Sequence, residues 1–75
     1  MMKIPIIDMD ATGENIKRIR KSKGISVKEL QDVFGFNNPQ AIYKWQNGKS
    51  VPTVDNIVVL ASVLGTTVND IIVTM

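Results

Sequence analysis

Gln40, Tyr43, Lys44 and Asn47 are the residues of this chain best placed to do chemistry as a group. At ~100° per residue they share one face of a helix, with Ile42 and Trp45 roughly opposite. The chemistry they offer is hydrogen bonding rather than bond making. A Gln side chain presents a donor and an acceptor together, which matches the N7 and N6–H₂ edge of adenine. A Lys donates to guanine O6 and N7 or to a phosphate. A Tyr donates to a phosphate or lays its ring on a thymine methyl. A helix over residues 39–47 spans ~13 Å, a length that suits the major groove of DNA. Taken alone the pattern more often describes a solvated helix face, because surface helices are polar on their outer side.

Composition narrows the possibilities. The chain has 75 residues, nine Lys+Arg, seven Asp+Glu, no His and no Cys. That length allows one domain with a small core. Without Cys or His there is no disulfide and no thiolate or imidazole metal site, so no metal and no cofactor are expected. The Cys–His and Ser–His nucleophile pairs and the commonest general base are missing too, and no other pair shows catalytic spacing. An enzyme with a small-molecule substrate is therefore the least favoured reading. No apolar run approaches the ~18–20 residues of a membrane span. The opening Met1-Met2-Lys3-Ile4-Pro5-Ile6-Ile7-Asp8 is too short in apolar residues for a signal peptide. A soluble, cytoplasmic binding protein is the expectation.

The net charge of +2 conceals an asymmetry. Residues 1–49 hold all nine bases and five acids, and residues 50–75 hold only Asp55 and Asp70. Six bases and no acid lie between Asn15 and Lys28. Such a block suits phosphate binding, and serves equally as a solvated face.

Glycines and capping residues divide the chain into elements. Gly24, Gly35, Gly48 and Gly65 each follow a stretch of helical spacing. Ser26 with Glu29 and Thr67 with Asp70 read as capping boxes. Asn38-Pro39 reads as an N-cap followed by Pro in the first helical position. The spacing predicts helices near 13–23, 26–34, 39–47, 53–64 and 67–73, an all-α fold over residues 13–75 preceded by an arm at 1–12. The inward positions are Ile16 and Ile19; Leu30, Val33 and Phe34; Ile42 and Trp45; Val54, Ile57, Val58, Ala61 and Leu64; and Val68, Ile71 and Ile72. Trp45 shares a face with Ile42, so it reads as a core anchor rather than a platform for stacking bases. Whether the arm packs on the domain through Ile4, Ile6 and Ile7 is left open.

The ordered set of features resembles the lambda-repressor-like, Cro-type (XRE-like) helix-turn-helix family. The matching parts are Gly13-Glu14-Asn15-Ile16-Lys17-Arg18-Ile19-Arg20, Gly24-Ile25-Ser26, Leu30, Gly35, Ile42, Trp45, Gly48-Lys49, Pro52, Leu60-Ala61 through Leu64-Gly65, and Thr67-Val68-Asn69-Asp70-Ile71-Ile72. The resemblance implies a compact five-helix bundle whose third helix enters the major groove of double-stranded DNA while the second crosses the backbone. The sequence departs from the family in four places. Val27 stands where a phosphate-contacting Gln is usual, although backbone N–H groups at that helix start still suit a phosphate. Gln31 replaces a small Ala that lets two helices approach. The interval from Gly35 to Ile42 is one residue longer than usual, which can relieve the crowding from Gln31 and moves the start of the third helix. Gln46 replaces a Glu that pairs with an Arg at the position of Arg20, which leaves a hydrogen bond possible and an ion pair not.

Roles follow from the helix face and the resemblance together. Asn38, Gln40, Tyr43 and Lys44 are the candidates for base contact, and Lys28, Asn47, Lys49 and Ser50 for phosphate contact. Arg18, Lys21 and Lys23 add long-range attraction or are simply solvated. A module this small buries only about 600–1,000 Å² on DNA, so a homodimer on a two-fold site is expected, paired through Val59, Val63 and Val73. The competing possibility is that the Ile-rich arm covers that strip. The favoured function is a sequence-specific transcriptional regulator, a repressor. The alternative is an antitoxin-like or adaptor protein that binds a protein partner through the same apolar surface.

Overall fold

In the computed structural model, which describes residues 4–75, five helices follow one another: α1 (Met9–Ser22), α2 (Val27–Phe34), α3 (Gln40–Gln46), α4 (Val54–Leu64) and α5 (Val68–Ile71). Local chemistry explains most of their limits. The Ser26 hydroxyl accepts from Glu29 N (3.0 Å) while the Glu29 carboxylate accepts from Ser26 N (3.3 Å), the reciprocal box expected of that pair. Thr53 and Thr67 cap α4 and α5 by accepting from Asn56 N and Asp70 N. Glycines 35 and 65 close α2 and α4.

Helix α1 starts at Met9, four residues earlier than the spacing predicts. Asp8 caps it, its Oδ1 accepting from Ala11 N at 3.0 Å. The last four residues of the expected arm are therefore helical. Helix α5 is shorter than expected, and its successor Ile72 is extended (φ −77°, ψ 129°). The cause is the tail's pairing with the residues before α1. Asp8 N donates to Val73 O and Met75 N to Ile6 O, both at 2.8 Å, around an antiparallel bridge between Ile7 and Thr74. These bonds flank the bridged pair, so the N–H and C=O of Ile7 itself turn to the open side. Pro5 falls on that same open edge by the alternation of an extended chain. The arm thus clasps the tail and leaves Val59 of α4 exposed, and Ile4 and Ile6 stay exposed as well.

The core is Ile16, Ile19, Leu30, Ile42, Trp45, Ile57, Leu60, Ala61, Leu64 and Ile71. Three residues expected inside are exposed: Val33 (51%), Val54 (79%) and Val58 (56%). Leu60, absent from the expected face, is fully buried. Helix α4 carries apolar residues on nearly every side, so its apolar period has no unique phase, and packing turns the Leu60 side inward. Val33 lies at the margin of the inner face of α2, about 60° from Leu30 and about 100° from Phe34, which take that face.

The packing of α1 against α3 is set by Gly13. A Cβ there would lie 2.7 Å from Gln46 O and would meet Trp45 O closer still, so only hydrogen fits. The buried Thr12 hydroxyl accepts from Val73 N (3.0 Å), and Asn15 Nδ2 donates to Asp70 O and Ile71 O. Through these contacts one helix positions both α3 and the end of the chain.

Candidate nucleic-acid interface

Helix α3 is anchored on one side by Ile42 (0% exposed), Trp45 (5%) and Gln46 (6%). Gln40, Tyr43, Lys44 and Asn47 are all exposed on the other side, as the helical spacing predicts. The anchor is aromatic as well as aliphatic. Trp45 meets Phe34 and Phe36 edge-on at centroid distances of 5.4 and 5.9 Å, and the two phenyl rings stack at 5.2 Å. Phe36 thereby ties the connection between α2 and α3 to the base of α3. Phe36 lies within the lengthened interval between Gly35 and Ile42, and an aromatic in an otherwise polar interval is the sequence signal of such an anchor.

Two of the departures from the family now have a physical account. Gln31 does not crowd α3. Its Nε2 donates to Phe36 O (3.2 Å) while Phe36 N donates to Gln31 O (3.1 Å), so the side chain fastens the turn to α2. Gln46 Oε1 accepts from Arg20 Nε at 2.8 Å, and Arg20 Nη1 donates to Ile25 O at 2.9 Å. The arginine therefore links α1, the start of the α2 segment and the end of α3 by hydrogen bonds alone. Val27 is half-buried and packs on the core.

Asn38 Oδ1 accepts from Gln40 N at 3.0 Å. The expected placement of Asn38 as N-cap and Pro39 in the first helical position shifts by one: Pro39 is the N-cap, regular geometry begins at Gln40, and Asn38 precedes the cap in an Asx-type turn. That oxygen is thus engaged at the helix start. After α3 the chain turns through Gly48 (φ +72°), and the amides of Lys49 (2.9 Å) and Ser50 (3.4 Å) both donate to Lys44 O. This closes the end of α3 and sets Lys49, exposed, and Ser50, half-buried, directly beside the helix. Lys28 lies apart from this group in the first turn of α2, where its Nζ meets Asp32 Oδ1 at 3.1 Å in an exposed pair.

The sequence-based pairing surface is divided. Val59 is exposed (41%), Val63 packs partly on the core, and Val73 is half-buried with both backbone groups bonded. An apolar cavity of about 110 Å³ opens between the arm and the start of α4, lined by Ile7, Thr12, Val51, Pro52, Val54, Ile57 and Ile72. Its lining carries no titratable group. Among the described residues no helix is long and apolar enough to cross a membrane.

Comparison with known proteins agrees with this geometry. A family model of helix-turn-helix proteins matches residues 16–71. The controller protein C.AhdI of a restriction-modification system from Aeromonas hydrophila has a similar structure, with a TM-score of 0.75 at 22% identity, covering 85% of this chain and 96% of that one. The DNA-binding domain of BldD is also similar, with a TM-score of 0.73 at 20% identity and coverage of 87% and 93%. No curated protein sequence matches. With the model spanning α2, α3 and α4 and most of the chain, this protein belongs to the Cro-type, XRE-like helix-turn-helix family of DNA-binding proteins.

Proposed function

We propose that the chain is a sequence-specific transcriptional regulator, a repressor that binds DNA as a homodimer. The observation that carries this reading is the two-sided α3: three buried residues hold it, and Gln40, Tyr43, Lys44 and Asn47 face outward from it. Gln40 and Lys44 read base edges, with Tyr43 on a thymine methyl or a phosphate. Asn38 contributes its amide N–H₂, since its oxygen is engaged with Gln40 N. Asn47, Lys49 and Ser50 hold phosphate beside the helix, and Lys28 joins them by exchanging Asp32 for a phosphate.

Pairing of two copies rests on α4. Val59 is exposed on the side of α4 roughly opposite Val54 and Val58, and Val63 and Val73 add partly buried area to the surface expected from the sequence. The neighbours lend support through their own descriptions: C.AhdI is a controller protein, and the BldD fragment is a DNA-binding domain.

In vitro selection from a random DNA pool tests the reading. Enrichment of a two-fold half-site, with binding that weakens steeply as salt rises, is the expected result. A protein that enriches no sequence and sediments as a monomer would overturn it. The exposed valines would then serve a different protein, as an adaptor or antitoxin uses such a surface.

A further inference from the structure

Gly48 is open on one side, and Asp10 fills that opening. A Cβ at position 48 would lie 3.0 Å from Asp10 Cα and 3.1 Å from its Cγ, and would collide with Oδ1. The carboxylate of the first turn of α1 therefore lies against the backbone at Gly48, exposed to solvent. Capping does not require it there, because Asp8 already caps α1. Among the described residues no Lys or Arg pairs with it, as the ion pair present is Lys28–Asp32. A negative charge with no cationic partner among the described residues thus sits beside Lys49 and Ser50, the residues proposed to hold phosphate.

We propose that Asp10 sets DNA affinity from the repulsive side. Its fixed negative charge opposes the phosphates that Lys49 and its neighbours attract. It subtracts a sequence-independent part of the binding and leaves the base-reading face of α3 to decide whether a complex lasts. The proposal rests on the placement of residues 47–50 at phosphate. Like charges ~5–10 Å apart in a largely aqueous setting change affinity about threefold, and a second phosphate within the screening length raises this toward tenfold.

The test compares wild type, Asp10→Asn, Asp70→Asn and Lys49→Ala by fluorescence anisotropy on a mixed-sequence duplex of about 20 base pairs, in about 50 and 200 mM salt. Asn keeps the size of Asp10 over Gly48, and Asp10→Ser is the second variant should Asn disturb folding. Asp10→Asn is expected to tighten binding about three- to tenfold at the lower salt, with a smaller gain at the higher. Asp70→Asn changes net charge equally, on α5, and is expected to stay within about twofold of wild type. Equal affinity of Asp10→Asn and wild type, or equal gains from Asp10→Asn and Asp70→Asn, would overturn the proposal. If Lys49→Ala weakens binding in that case, the phosphate reading stands and Asp10 merely packs. If Lys49→Ala is also without effect, both fall together.

Discussion

Arg20 Nε donates to Gln46 Oε1 across 2.8 Å, joining the last turn of α1 to the last residue of α3. A neutral acceptor occupies a buried site facing a permanent cation, so the linkage is a hydrogen bond without charge complementarity. Gln46→Ala leaves the Nε donor unmet and is expected to cost about 1–3 kcal/mol in urea unfolding. Gln46→Glu supplies the charge and is expected to stabilise by about 0.5–1.5 kcal/mol at neutral pH. That gain would vanish on acidification through the pKa that the new Glu has in the folded protein. An alanine variant as stable as wild type would show that the pair does not hold α3.

Gly13→Ala is expected to be more damaging than its position in a helix suggests. Alanine favours a helix over glycine by up to about 1 kcal/mol. Here the new methyl meets the carbonyl oxygens of Trp45 and Gln46, backbone atoms that cannot swing aside. A net loss of about 1–3 kcal/mol is expected from equilibrium unfolding. Displacement of α3 should also weaken DNA binding, and a stabilised variant would refute the tight contact.

Substitutions on the outer face of α3 separate recognition from stability. Gln40→Ala and Lys44→Ala are expected to unfold within about 0.5 kcal/mol of wild type, because both residues are exposed. At the selected DNA site each should lose about 1–3 kcal/mol and relax discrimination at one base pair. Binding titrations on single-base variants of the site measure this. Uniform loss across every sequence would reassign the residue to phosphate.

Acid should find a weak point at the end of the chain. The Thr66 hydroxyl donates to Asp70 Oδ2 at 2.9 Å, and this bond, followed by those from Thr67, holds the Asp70 carboxyl below the usual carboxylate range. A group whose folded pKa is depressed stabilises the fold above its unfolded pKa, and that contribution disappears as pH falls through the folded value. The urea midpoint of wild type should therefore fall further on acidification below the normal Asp range than that of Asp70→Asn. Parallel curves for the two proteins would contradict the linkage.

How much of this was legible in the sequence depended on the range of the interaction. Ser26 with Glu29 and Thr67 with Asp70 marked helix starts, because capping acts over three residues. The outer face of α3 was legible for the same reason, since Ile42 and Trp45 fix its phase within one turn. Helix α4 was not, because apolar residues lie all round it and only its neighbours select Leu60 over Val54 and Val58. Phe36 on Trp45, Gln31 on the Phe36 carbonyl and Asp10 over Gly48 all join separate elements. Residue spacing carries no trace of such contacts. Arg20 with Gln46 is the exception, and there the family pattern, not the spacing, pointed to the pair.

Pro5 has a bearing on solubility. The arm places Ile4, Ile6 and Ile7, all exposed, on an extended segment whose outer edge has no backbone partner among the described residues. Such an edge ordinarily templates another strand and seeds aggregation. On that edge Pro5 has no N–H to offer and its ring obstructs an incoming chain. A single imino acid thus hinders this greasy ribbon from recruiting its copies into a growing sheet, and Pro5→Ala is expected to raise fibril formation at high concentration, read by light scattering.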